Sequence, residues 1–206
     1  MLFEGVDFLG ALDDVQSNGA LFKNRSFRQG FPGSPHVDTE FISCRTTYDP
    51  PVSDRPELLN EYLSNHASNL EAVDTEDYLL LPNVYQHVMR LAGYLWAERV
   101  GRVMVVRLKP GGHVHPHKDM GEYHDYYDRY HMVLSGECHF RCGREIVKML
   151  PGDVWWFFNN EEHEVWNDAS RPRDHIIVDL KLRGNKDVRR SESKGSETNE
   201  QPVDPG

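Results

Sequence analysis

Between residues 101 and 182 the sequence breaks into short apolar or alternating runs: RVMVVRL, YHMVLS, ECHFRC, EIVKML, DVWWFF, HEVW and HIIVDLKL. Gly, Pro, Asn and Asp punctuate them, and many short strands with such regular turn signals predict a mainly β fold, a sandwich or barrel, rather than βαβ units.

The first half is mixed. Residues 55–65, RPELLNEYLSN, and 82–98, PNVYQHVMRLAGYLWAE, read as helices. Pro82 suits a first helical position, and Val84, Val88, Leu91 and Leu95 form a stripe that expects a sheet beneath it. Residues 31–45, FPGSPHVDTEFISCR, read as a turn leading into a strand. From about Arg183 the chain is RGNKDVRRSESKGSETNEQPVDPG, too poor in apolar groups to offset its own ordering, so a disordered tail is expected. The organisation expected is one domain. A mixed N-terminal part, 1–100, packs on and completes a barrel formed by 101–182, and 183–206 is the tail. No internal repeat is visible.

The net charge of −10 argues against nucleic acid as the main partner, because that affinity comes largely from Lys and Arg neutralising phosphates. No apolar run approaches the roughly 20 residues that span a bilayer, and MLFEGVDFLGALDD lacks a basic leader region. A soluble cytoplasmic protein with no membrane partner is expected. Cys138 and Cys142, four apart on a strand, would sit roughly 13 Å apart, too far to bridge, so reduced thiols are expected.

Residues 111–124, GGHVHPHKDMGEYH, concentrate histidines and acids. On a regular strand His113, His115, His117 and Asp119 would project to one side, which is more ligand capacity than one ion needs. A non-haem iron site needs two histidines and one carboxylate on one face of the metal, with the other positions open. His117 and Asp119 supply one such pair, and His163, between two strand runs, is the candidate third ligand. A rival set, His115, His117, Glu122 and His163, fits a general cupin pattern for a metal-binding protein or a dioxygenase that does not use 2-oxoglutarate. Arg173 opens an apolar strand, where a buried guanidinium needs a carboxylate partner. Arg129 and His131 put polar heads at the start of another.

The segments RLKPGGHVHPHKD, RYHMVL, LPGDVWWFFNNEEHEVWNDASRPR and IIVDL resemble the aspartyl/asparaginyl β-hydroxylase family of Fe(II)- and 2-oxoglutarate-dependent oxygenases. The resemblance covers roughly residues 100–182. It implies a double-stranded β-helix, a jelly-roll or cupin barrel flanked by N-terminal helices, in which His117 and His163 ligate Fe(II). It further implies that Arg173 holds the distal carboxylate of 2-oxoglutarate, that Arg129 and His131 assist, and that O₂ is used to hydroxylate an amino-acid side chain, free or within a peptide. This chain departs from the animal members at two positions. Asp119 stands where those members have no carboxylate, which gives a full facial triad, and Val106 stands where they have a serine that contacts 2-oxoglutarate. Residues 34–45 resemble a family segment that covers the metal face, making His36, Asp38, Thr39 and Arg45 substrate-binding candidates, with His115 lining the pocket. The tyrosines of residues 121–130 could form a lid.

Overall fold

The computed structural model describes residues 1–22, 34–47 and 69–184. The helix expected over 55–65 and nearly all of the expected tail lie outside these residues. The described elements, in chain order, are α1 (Leu9–Ser17), β1 (Thr39–Thr46), β2 (Val73–Asp74), α2 (Pro82–Tyr94), β3 (Ala97–Leu108), β4 (His113–His117), α3 (Glu122–Tyr126), β5 (Asp128–Ser135), β6 (Cys138–Cys142), β7 (Glu145–Met149), β8 (Val154–Phe157), β9 (His163–Trp166) and β10 (Arg173–Leu182). All pairings are antiparallel, in two sheets ordered β2-β1-β3-β10-β5-β8 and β4-β9-β6-β7. The result is a double-stranded β-helix, mainly β with N-terminal helices on its outer face.

The strand period explains why the six-stranded sheet reads as continuous apolar runs: it is covered on both faces. On β10, Ile176, Val178 and Leu180 point to one core together with Tyr130, Met132 and Leu134 of β5. The alternate residues Arg173, His175 and Ile177 line the barrel interior, as do Arg129 and His131. Val84, Val88 and Leu91 of α2 and Ala11 and Val15 of α1 close the outer core. Fully burying a Val or Leu side chain contributes about 1.5–3 kcal/mol, so this stripe fastens the helices to the sheet. Asp14 of α1 also accepts hydrogen bonds from the Asn83 and Val84 amides at the start of α2, filling the missing side-chain cap.

Two local expectations change. Helix α2 stops at Tyr94 rather than near residue 98, because Trp96 takes a left-handed backbone (φ 53°) and the chain turns into β3 at Ala97. The tyrosines of 121–130 are not a lid: Tyr123 and Tyr127 are buried, and the Tyr127 hydroxyl donates to the Leu70 carbonyl. Cys44, Cys138 and Cys142 are free thiols. Among the described residues no helix is long and apolar enough to cross a membrane.

One close approach ties β3 to this tyrosine layer. A Cβ added at Gly101 would lie 2.5 Å from the Tyr123 hydroxyl and 2.9 Å from the Tyr127 ring. Gly101→Ala is expected to lower stability by about 1–3 kcal/mol, the usual range for overpacking, read as a fall in urea midpoint at constant m-value.

Candidate metal centre

The histidine run forms strand β4, paired with β9, but its alternation is broken. His113 pairs with Trp166 and Val114 with Val165, whereas His117 pairs with His163, so three steps on β4 match two on β9. One extra residue at 115–116, where Pro116 sits, makes a bulge that moves every later side chain to the opposite face. His117 therefore joins Val114 on the barrel interior. His113 and His115 stay outside, their rings 4.5 Å apart and His113 bonded to Glu164 at 2.9 Å. The expectation that His113, His115, His117 and Asp119 share one face is corrected on this ground.

His117, Asp119 and His163 converge, each offering one ligand atom, all within 4.8 Å of one another. The histidine orientations are set by the backbone. His117 Nδ1 donates to the His115 carbonyl at 2.8 Å and His163 Nδ1 to the Glu161 carbonyl at 2.9 Å. Each bond fixes the tautomer in which Nε2 carries the lone pair that a metal requires. Burial holds the His163 ring at a pKa of about 4, so it is neutral near pH 7. Asp119 is anchored through its amide, which donates to the Asn159 carbonyl at 2.9 Å. Burial alone would raise its carboxyl pKa. The Arg129 guanidinium overrides this and holds it well below the ordinary range, with smaller help from His124 and His163. Two imidazoles and one ionised carboxylate on one side of an open pocket fit a divalent metal of the iron group.

The rival set is not assembled. His115 is turned out by the bulge, and Glu122 opens α3 on the exposed surface. Among the described residues the only cluster of metal-ligating side chains is His117, Asp119 and His163.

Beside the triad lies a pocket between the two sheets, walled in part by Val106, Leu108, Phe140, Phe157 and Ile177. Arg173 lines it and is 1% exposed. Its Nη1 meets His175 Nδ1 at 2.8 Å and its Nη2 the Met149 sulfur at 3.5 Å, while Nε has no partner. No carboxylate among the described residues forms an ion pair with it. His131, in the same wall, has both ring nitrogens buried without a hydrogen-bond partner, and burial, then the Arg173 charge, push its pKa far below the usual value. Arg129 differs from Arg173: its Nε and Nη2 grip Asp179 at 2.8 and 2.9 Å and its Nη1 bonds Asp119.

The substrate candidates separate. His36 lines the pocket with its ring edge-on to His117 at 4.7 Å between centroids, and Thr39 lines the pocket nearby. Asp38 instead accepts from the His113 amide and braces the turn before β4. Arg45 lies six residues along β1 from Thr39, bonded to Asp74 and to the Ala72 and Val100 carbonyls. The β1 register carries it away from the site, so it does not line the pocket. His115 does not line it either. His124, one of the histidines of the 111–124 run, lies beside Asp119, and two neighbours of the centre stand outside the candidates read from the sequence: Asp179 and Asn159. Asp179 had a visible signal, a lone acid inside the apolar run HIIVDLKL.

No curated protein matches the chain. Several solved structures resemble part of it. These include a predicted oxalate decarboxylase from Thermotoga maritima, at 22% identity over 44% of this chain and 74% of that one with a TM-score of 0.35. A cupin domain of a transcriptional regulator from Enterobacter cloacae matches at 20% identity, 40% and 82% coverage and a TM-score of 0.35. A cupin 2 barrel protein from Salinispora arenicola matches at 14%, 45% and 71%, and 0.33. Residues 63–182, more than half of the chain, match the family described as aspartyl/asparaginyl beta-hydroxylase. With its barrel, its His-His-Asp cluster and this match, the chain belongs to the aspartyl/asparaginyl β-hydroxylase family.

Proposed function

We propose that the protein is an Fe(II)- and 2-oxoglutarate-dependent dioxygenase that hydroxylates an amino-acid side chain, free or within a peptide. The observation that carries this is Arg173: a fully buried guanidinium with no carboxylate partner among the described residues, lining the same pocket as His117 and His163. A buried unpaired charge costs several kcal/mol, and a dicarboxylate entering the pocket removes that cost. His131, with two unbonded ring nitrogens, adds a neutral donor for the same carboxylate.

His117, Asp119 and His163 are the residues that would hold the metal. Bound there, Fe(II) supplies O₂ activation coupled to conversion of 2-oxoglutarate to succinate and CO₂. The protein's part is positioning and exclusion of water. Arg173 fixes the far end of the cosubstrate, His131 braces it, and the apolar wall keeps the pocket dry. Val106 leaves that wall without the serine contact, so Arg173 and His131 carry the carboxylate between them. His36, beside His117, is placed to meet the substrate.

The test is succinate release by the Fe(II)-loaded protein, screened against free amino acids and a peptide library. A substrate that raises succinate formation one-for-one with its own gain of a hydroxyl supports the reading. Tight metal binding without 2-oxoglutarate binding or consumption would overturn it.

A further inference from the structure

Arg129 occupies the position where the family resemblance expects a group that holds 2-oxoglutarate, yet its bonds run the other way. Nε and Nη2 form a two-pronged pair with Asp179, at 2.8 and 2.9 Å, and Nη1 bonds Oδ2 of Asp119. Asp179 is itself held by the Tyr123 hydroxyl at 3.1 Å, and that hydroxyl accepts from the Arg102 amide at 2.6 Å. All of these side chains except Arg102 are buried. The chain of bonds thus runs from the β3 backbone through Tyr123, Asp179 and Arg129 to the metal-ligating carboxylate.

We propose that Arg129 is a positioning residue for Asp119, locked by Asp179, rather than an anchor for the cosubstrate. The inference rests on the metal-centre reading above. With Oδ2 taken by Arg129, Asp119 turns Oδ1 toward His117 Nε2, the two lying 4.0 Å apart. The carboxylate is then presented through one oxygen, and it cannot swing to chelate with both. A one-oxygen ligand leaves the remaining metal positions for cosubstrate and O₂. Groups that orient metal ligands in this way are commonly as important to affinity as ligands themselves. The arrangement also accounts for a full triad and a buried arginine in one site. The acid that the animal family members lack is here paired with the arginine that the family pattern would otherwise give to 2-oxoglutarate.

The test uses Mn(II), which binds such sites without turnover, in calorimetric titrations of the full chain. Two variants are compared with wild type. Arg129→Lys keeps the charge but cannot bridge Asp119 and Asp179 together. Asp179→Asn keeps the shape, and Asp179 does not line the pocket, so any effect there cannot come from lost cosubstrate contact. Both are expected to weaken Mn(II) binding by about 10–100-fold while changing 2-oxoglutarate affinity at saturating Mn(II) by less than about threefold. Mn(II) affinity unchanged within that margin in a folded Arg129→Lys or Asp179→Asn protein would overturn the proposal, the more so if 2-oxoglutarate affinity falls in the first. Failure of the metal-centre reading has a different signature: wild type and His163→Ala would then bind Mn(II) alike.

Discussion

Replacing Arg173 with methionine is expected to raise the stability of the ligand-free protein by about 1–4 kcal/mol and to weaken 2-oxoglutarate binding by about 30- to 4,000-fold. The two changes have opposite signs for one reason. Arg173 is buried against a neutral histidine, a thioether and apolar walls, with its Nε unbonded. In the empty pocket the charge is uncompensated, and an unbranched apolar side chain of similar length removes the penalty. When the dicarboxylate is bound the same charge becomes half of a desolvated ion pair. Losing it then costs about 2–5 kcal/mol, which gives the fold-change above at about 1.4 kcal/mol per factor of ten. Urea midpoints and calorimetric titration with Mn(II)-loaded protein read the two effects separately. A variant less stable than wild type, with unchanged 2-oxoglutarate affinity, would mean that Arg173 is a structural group with a partner of another kind.

The second large effect lies at the metal. His163→Ala and Asp119→Ala are each expected to weaken divalent-metal binding by about 100-fold or more and to abolish coupled turnover. His115→Ala and Glu122→Ala should leave both within about twofold of wild type, since neither side chain reaches the centre and exposed positions seldom matter energetically. The contrast separates two ligand sets that share His117 and His163. Asp119→Ala carries an added penalty, because it removes one of the two carboxylates on buried Arg129. Hydroxylation at the wild-type rate with stoichiometric succinate in Asp119→Ala would contradict the role given to that carboxylate.

Much of this architecture can be read from residues 101–182, and physical chemistry says which parts. Strand runs were visible because turn residues bound them. HIIVDLKL was recognisable as a core strand because helices cover one face and the barrel interior the other, so apolar residues fall at both parities. His117, Asp119 and His163 could be named because a facial triad needs those residue types and the segments carrying them resemble a family. The bulge was not visible. One inserted residue at 115–116 reverses which face each histidine meets, and a spacing of two looks the same in a regular strand and a bulged one. Pro116 was its only trace, a residue that belongs at edges and bulges. Arg45 falls outside the pocket for a related reason. Its place depends on the register between β1 and β3, which seats Arg45 opposite Val103, and on Asp74, whose β2 strand follows the first by a long interval. Asp179 announced that a partner must exist without naming it, and only the fold brings Arg129 to it.

The most direct measurement is a crystal structure of the protein soaked anaerobically with Mn(II) and 2-oxoglutarate, with the metal located by its anomalous scattering. The account predicts one Mn(II) on His117 Nε2, His163 Nε2 and one oxygen of Asp119, with the distal carboxylate of 2-oxoglutarate on Arg173. A metal held by His115 and Glu122 with Asp119 free, or a carboxylate seated away from Arg173, would contradict it.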